Sequence, residues 1–212
     1  MICDLPFPLQ EEKHVFGSQD EGASETKEKQ PGGDLISRLL KTRTIMVTDE
    51  VNKKMAQQIM TQLILLEAEN NDDIKVFINS PGGDADAGFA IYDMMRFVKP
   101  KILAICTGVV ASAAVIILLG AQRGNRYSMP NARILIHQPS TGIHGTASDI
   151  QIEANEILKC REKINRLISL ETGQGIEKVE TDTKRNFWMS AEEALKYGLV
   201  NKIILTGDDL KA

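Results

Sequence analysis

Apolar positions follow two periodicities along the chain, and these alternate several times between residues 34 and 205. Apolar residues three or four apart predict helices, whereas short apolar runs bounded by turn residues predict buried strands. Helices are predicted around 35–40, at about 50–70 and 85–97, after Ser112, from about 150 to Gly173 and from Ser190 to Gly198, and strands at 44–47, 74–78, 101–106, 133–136 and 200–205. This alternation is typical of an α/β fold with largely parallel strands.

Residues 1–33 show neither periodicity and are rich in polar and charged side chains. A segment of this kind buries too little apolar surface to form a core of its own. The sequence therefore predicts two parts, a flexible N-terminal arm over 1–33 and one folded domain over 34–212.

The composition is that of an ordinary globular protein and excludes few functions by itself. Of the 212 residues 42% are hydrophobic and 25% are charged, and a net charge of −4 gives no electrostatic case for nucleic-acid binding. The longest apolar run, 109–119, is shorter than the ~20 residues that span a bilayer, and the N-terminus lacks a signal-peptide pattern. Three scattered cysteines suit a reducing compartment, so a cytoplasmic protein without metal or cofactor is expected.

Ser112 is the first candidate for chemistry because it stands alone at the head of an apolar run that predicts a buried helix. A serine in this position can simply cap the helix. It can also be a nucleophile, since hydrolytic serines commonly lie between a strand and a helix whose N-terminal amides stabilise negative charge. The Gly-x-Ser-x-Gly pattern of a nucleophile elbow is absent, because Val110 and Ala114 occupy the glycine positions.

Two further features could complete a catalytic site. Pro81-Gly82-Gly83 follows a predicted strand, and paired glycines either make a tight turn or let backbone N–H groups approach a ligand as an oxyanion hole. Of the three histidines, His14 lies in the arm and His144 lies among glycines, whereas His137 ends an apolar strand. His137 is therefore the best-placed general base, although a strand histidine can also be a satisfied core group.

Several segments, in order along the chain, resemble the ClpP family of serine peptidases. They are Phe77-Ile78-Asn79-Ser80-Pro81-Gly82-Gly83, Ile136-His137-Gln138-Pro139, Thr172-Gly173-Gln174 and Ser190-Ala191-Glu192-Glu193-Ala194. The resemblance runs from about residue 34 to residue 205 and implies a crotonase-like α/β fold of stacked strand–helix turns, with a handle helix after Thr146. It also implies that Ser112 is the nucleophile, that His137 is the general base, and that the backbone N–H groups of Gly83 and Ala113 form the oxyanion hole.

The chain departs from the family at two places in the site. The family usually has Gly-Gln-Ala-Ala-Ser-Met-Gly around its nucleophile, where this chain has Gly-Val-Val-Ala-Ser-Ala-Ala over 108–114. Asn186 stands where the family has its catalytic aspartate, and the nearby Asp182 could replace it only by reaching His137 from a different height. An asparagine can accept the imidazole Nδ1–H but cannot neutralise an imidazolium, so a serine endopeptidase of low intrinsic activity is expected.

The resemblance also implies an assembly. It implies heptameric rings that pair into a barrel of fourteen subunits, into which a Clp-type AAA+ ATPase feeds unfolded polypeptides, with ATP used by that partner. The barrel would contain this chain alone or mixed with a second ClpP subunit, and the 1–33 arm would be a propeptide or an axial gating segment. Two other functions stay open: a weak or inactive structural subunit of a mixed barrel, and a crotonase-type acyl-CoA enzyme, which the His-Gln-Pro segment and the handle argue against.

Overall fold

The computed structural model describes residues 31–210. Residues 1–30 of the predicted arm therefore lie outside the described residues. Residues 31–33 of that arm form the start of the first helix. In chain order the elements are α1 (Pro31–Lys41), β1 (Thr44–Val47), α2 (Lys53–Glu69), β2 (Ile74–Ser80), α3 (Ala85–Phe97), β3 (Ile102–Ala111), α4 (Ala113–Gly120), β4 (Arg126–Ser128), β5 (Arg133–Ile136), α5 (Ala147–Thr172), α6 (Ile176–Asp182), β6 (Phe187–Ser190), α7 (Ala191–Tyr197), β7 (Lys202–Ile203) and a 3₁₀ turn (Gly207–Leu210).

A seven-stranded sheet organises these elements and confirms the predicted α/β fold. Strands β1, β2, β3, β4 and β7 are neighbours in that order, and all of these pairs are parallel. The sheet divides at β3, because residues 104–106 pair with β4 while residues 109–111 pair with β5. Strand β6 then adds to β5 as an antiparallel neighbour. The far end of β3 is thus the point where two branches of the sheet and the Ser112 turn meet.

Helix α4 is the centre of the hydrophobic core. All of its residues are buried, and it packs against α3, α5, β2 and β3. A helix that is apolar on every side is stable in water only when other elements surround it. This explains why the sequence shows an unbroken apolar run there, and it makes Ser112 the boundary between the core and the surface.

Helix α5 is long and is buried only near its C-terminal end. Thr146 and Asp149 form a capping box at its start, and Gly173 closes it at φ 81°. Its buried residues lie only in the second half, and Ile150 near its start is 42% exposed. The first half therefore projects from the core, as the resemblance implied for a handle.

Short elements account for the remaining differences from the sequence prediction. Strands β4 and β6 and helix α6 were not predicted, and the last strand covers only Lys202–Ile203 rather than 200–205. Strand β3 extends to Ala111, beyond its predicted end. The capping box of Ser190 and Glu193 and the end of α7 at Gly198 are confirmed.

One ionic cluster fastens the buried end of α5 to α4. The Arg126 side chain is 0% exposed and donates to the Leu119 and Ala121 carbonyls at the end of α4 and to the carboxylate of Glu171. Arg96 contacts the same carboxylate at 2.6 Å. Burial lowers the pKa of the Arg126 guanidinium, and its hydrogen bond to Glu171 opposes that shift. The cluster thus satisfies buried helix carbonyls and fixes the two helices that line the candidate site.

Candidate active site

Ser112 occupies a strained turn between β3 and α4. Its φ of 56° and ψ of −122° make it, with Arg43, one of two non-glycine residues with positive φ among residues 31–210. The Ser112 N–H donates to Leu135 O at 3.0 Å, and the Ser112 carbonyl accepts from Val115 N–H at 2.9 Å. The side chain makes no capping bond to α4, so the simple N-cap interpretation is wrong. Strain of this kind typically costs about 1–3 kcal/mol and clusters at functional sites.

The glycine loop before α3 packs directly against this turn. Gly82 has φ 88°, and a Cβ added there would lie 2.4 Å from Ala111 O and 2.9 Å from Ala113 N. Only a residue without a side chain fits so close to the backbone of the serine turn. The serine turn therefore owes its shape to a neighbouring glycine, although its own sequence lacks the glycines of an elbow.

Two backbone N–H groups at this junction are available to a ligand. Val51 makes one backbone hydrogen bond to each neighbour of Gly83. Its N–H donates to Gly82 O at 2.8 Å, and its carbonyl accepts from the Asp84 N–H at 2.8 Å. No loop or turn hydrogen bond among the described residues uses the N–H of Gly83 itself. Ala113 is the first residue of α4, where N–H groups lack an intrahelical acceptor. Gly83 and Ala113 line the same cavity as Ser112, as an oxyanion hole would require.

His137 and Asn186 are brought together by the pairing of β5 with β6. Ile136 pairs with Phe187 in the antiparallel register, and one further step places His137 opposite Asn186. His137 Nδ1 lies 3.0 Å from Asn186 Oδ1. Because an amide oxygen only accepts, this contact places the imidazole proton on Nδ1 and leaves Nε2 free to accept a proton.

Asp182 does not take part in this pair. Its carboxylate accepts from Lys178 Nζ at 2.6 Å and from the Tyr197 hydroxyl at 2.9 Å. Burial, together with the hydrogen bond to Asp182, raises the pKa of Tyr197 above its ordinary value. Asp182 thus belongs to the packing of α6 against α7, and the structure pairs His137 with Asn186 instead.

A cavity of about 330 Å³ joins the pieces of the site. Ser112, His137, Gly83 and Ala113 line it, but in the described part of the chain the Ser112 hydroxyl makes no hydrogen bond, to His137 or to any other group. Val115, Ile116, Ile136, Ile164 and Ile168 give the wall an apolar part, and Asp84 and Ser140 also line the cavity. Ile164 and Ile168 belong to the buried end of α5, and the sequence pattern assigned them no role at the site.

Neither a metal-binding cluster nor a membrane-spanning helix is found among the described residues 31–210. Among residues 31–210, no group of three or more His, Cys, Asp or Glu side chains is arranged to hold a metal ion. None of the helices in the same range is both long enough and apolar enough to cross a bilayer.

Comparison with known proteins places this geometry in context. A family model described as Clp protease matches residues 27–207. The ATP-dependent Clp protease proteolytic subunit 3 of Rhizobium etli is 43% identical over 193 residues, which cover 91% of this chain and 100% of that protein. The subunit of the same name from Rhizobium johnstonii is 43% identical over 185 residues, covering 87% and 95%.

A solved structure is also similar. It is the ClpP1 of Listeria monocytogenes, in a variant in which an asparagine is replaced by aspartate. The match has a TM-score of 0.78 and 46% sequence identity, and it covers 83% of this chain and 99% of the other. None of these relatives supports the acyl-CoA alternative.

Proposed function

Because the chain belongs to the Clp protease family and serine peptidase function follows from that membership, we propose that it is an endopeptidase whose catalytic set is Ser112, His137 and Asn186. The observation that carries this proposal is the 3.0 Å contact between His137 Nδ1 and Asn186 Oδ1 beside the cavity that Ser112 enters. A base held in one tautomer next to a strained serine is the arrangement that acyl transfer requires.

The proposed reaction follows the serine peptidase pattern. His137 Nε2 takes the proton of Ser112 as the hydroxyl oxygen attacks the scissile carbonyl, and the N–H groups of Gly83 and Ala113 stabilise the oxyanion. The imidazolium then gives its proton to the leaving amine, which leaves an acyl-enzyme on Ser112. Water, activated by His137, releases the acyl product and restores the serine.

The apolar wall of the cavity suggests which side chain is held during attack. Val115, Ile116, Ile164 and Ile168 offer apolar surface next to Ser112. Burying apolar area contributes about 25 cal/mol per Å², so an apolar side chain beside the scissile bond binds better than a charged one. We therefore expect cleavage after apolar residues of unfolded polypeptides.

Low intrinsic activity is part of the proposal. Asn186 accepts the Nδ1–H but brings no charge to stabilise the imidazolium. Among residues 31–210 the Asn186 side chain has no hydrogen-bond partner other than His137. If the amide turns over, its NH₂ donates to Nδ1 and the imidazole proton moves to Nε2, which then cannot accept from Ser112. Asn186 therefore favours the active tautomer less strongly than an aspartate does.

The names of the two Rhizobium relatives motivate a proposal about assembly. They are called subunits of an ATP-dependent Clp protease, so we expect this chain to form heptameric rings that pair into a tetradecamer, alone or with a second ClpP subunit. A Clp-type AAA+ ATPase would deliver the unfolded substrate. Ile152 and Leu158 in the first half of α5 are 58% and 52% exposed, as expected of a surface that other subunits cover. Cys106 and Cys160 are unpaired, which suits the expected cytoplasmic location.

One observation favours a second candidate, the structural subunit. Ser112 and His137 line one cavity without a hydrogen bond between them in the described part of the chain. If Ser112 and His137 never form a hydrogen bond, the chain would be inactive and would contribute only ring contacts or ATPase docking.

Labelling with a fluorophosphonate separates the two candidates. The wild-type protein should label slowly at Ser112 and cleave a small fluorogenic peptide, and Ser112→Ala should do neither. Asn186→Asp should cleave faster by up to about 10⁴-fold, the size of the loss that the reverse change produces in a serine triad. If neither wild type nor Asn186→Asp labels, alone or mixed with a second ClpP subunit, the structural-subunit function is correct.

A further inference from the structure

The turn that carries Asn186 is fastened by side chains outside the catalytic set, and we propose that Gln138 and Thr183 are positioning residues that hold Asn186 on His137. This inference rests on the proposed function, because positioning affects a rate only if Ser112, His137 and Asn186 act together. It assigns the hydrogen bonds that flank the His137–Asn186 contact to catalysis rather than to folding alone.

Gln138 joins the two loops directly beside the contact. It follows His137 in the chain, and its backbone N–H donates to Thr183 O at 2.7 Å. Its side-chain Nε2 donates to the next carbonyl, Lys184 O, at 2.9 Å. One residue thus binds two consecutive carbonyls of the turn, which lie three and two residues before Asn186. The His137 loop and the Asn186 turn therefore move as one unit while both bonds are made.

Thr183 fastens the same turn to the protein interior. Thr183 is 1% exposed, and its hydroxyl proton has two acceptors within reach, Asn165 Oδ1 at 2.9 Å and Val179 O at 2.8 Å. Asn165 is itself 3% exposed and lies on α5, next to Ile164 of the cavity wall. The turn is thereby fixed to the helix that also shapes the binding cavity.

Asn186 needs this support because it is an exposed residue whose own contact with His137 is weak. A hydrogen bond to a neutral amide is about half as strong as one to a carboxylate. A misplacement of about 1 Å in a catalytic group can lower a rate by about 10²-fold. An aspartate at 186 would hold the imidazole by charge and tolerate a looser turn. Dependence on Gln138 should therefore be larger with asparagine at 186 than with aspartate.

A two-by-two set of variants tests this dependence in the full chain. Gln138→Met keeps the length and the backbone bond but removes the side-chain donor, and Gln138 is only half-buried, so the fold should tolerate it. In wild type, Gln138→Met should lower kcat on a fluorogenic peptide by about tenfold with KM changed less than about twofold. In Asn186→Asp the same change should lower kcat by no more than about threefold. Gln57→Met, on the exposed face of α2, is the matched control and should leave kcat unchanged.

Thr183 supplies the independent variant. Thr183→Val keeps the shape but removes the hydroxyl and should lower kcat in the same direction, whereas Thr183→Ser restores the hydroxyl and should recover most of the rate. Thermal unfolding of each variant shows whether a slow variant is still folded.

The outcomes are distinct. A larger loss of kcat with Asn186 than with aspartate, together with rescue by Thr183→Ser, supports the positioning role. An equal loss in both backgrounds, or none, overturns that role while labelling at Ser112 still upholds the proposed function. If neither wild type nor Asn186→Asp labels at all, the proposed function fails before any Gln138 change is made, and the positioning role fails with it.

Discussion

The two halves of the candidate active site are held in place by different forces. Ser112 lies between the buried end of β3 and the fully buried α4, and its strained backbone is enclosed by Gly82. His137 is half-buried, Asn186 is exposed, and both depend on hydrogen bonds between loops. Close packing holds a strained conformation because the surrounding atoms leave it no alternative. The position of Ser112 should therefore be disturbed most by a larger side chain packed against its turn. The position of His137 should be disturbed most by the loss of a hydrogen-bond donor in the loops around it.

The largest effect should come from adding one carbon atom on the nucleophile side. In Gly82→Ala the new Cβ would lie 2.4 Å from Ala111 O and 2.8 Å from Ser112 Cβ, so the serine turn must move. We expect labelling and peptide cleavage to fall by about 10²-fold or more. Rates of fluorophosphonate labelling measure this change.

Gly124→Ala is the matched control for backbone conformation. Gly124 has φ 93°, close to the 88° of Gly82, but a Cβ there would meet nothing within 4 Å. Both changes carry the penalty for positive φ, roughly 1–2 kcal/mol. If Gly124→Ala slows labelling as much as Gly82→Ala does, contact with the serine turn is not the cause.

The next largest effect should be on stability, at the ionic cluster beneath the nucleophile side. Glu171→Ala leaves the fully buried Arg126 without a carboxylate partner. Removing one partner of a buried ion pair typically lowers the free energy of unfolding by about 3–5 kcal/mol. Urea unfolding gives this value, and the substitution should also weaken labelling because α4 and α5 both line the cavity.

An exposed ion pair on the same helix provides the comparison. Glu162 and Arg166 are 59% and 72% exposed, so Glu162→Ala should change the free energy of unfolding by less than about 1 kcal/mol. If Glu171→Ala and Glu162→Ala lowered the free energy of unfolding by similar amounts, the carboxylate of Glu171 would not be needed to stabilise the buried charge of Arg126.

The smallest effect should follow from changing the acidic residue near the base. Asp182 contacts Lys178 and Tyr197, so Asp182→Asn should leave kcat within about twofold of wild type and lower stability by about 1 kcal/mol. Peptide cleavage and urea unfolding measure the two changes. A loss of kcat of about 10²-fold or more would mean that Asp182, rather than Asn186, orients His137 during the reaction.

Alkaline titration follows the other side of the same contact. The raised pKa of Tyr197 means that its neutral form is favoured in the folded state. Its contribution to stability is therefore present below the ordinary value of 10.0 and is lost as the pH rises above it. Tyr197→Phe should make the unfolding free energy less dependent on pH in that range, and an unchanged dependence would contradict this assignment.

The sequence predicted the nucleophile side better than the base side, for physical reasons. The apolar run after Ser112, the Pro81-Gly82-Gly83 loop and the α7 capping box are local patterns that need no knowledge of distant contacts. Strand β4 has only 3 residues, too few to display a periodicity. The contact of His137 with Asn186 depends on the pairing of β5 with β6, which joins residues far apart in the chain. Only the resemblance to a family pointed to Asn186, and nothing local pointed to Gln138 or Thr183.

The antiparallel register of β5 and β6 makes the His137–Asn186 contact depend on the number of residues between each strand end and these side chains. His137 faces Asn186 because each lies one step beyond the Ile136–Phe187 pair. Deleting a single residue at 186, with the strand pairing kept, would bring Arg185 opposite His137 and place a cation where the imidazolium must form. Insertions and deletions between β5 and β6 are therefore tolerable only away from these two strand ends.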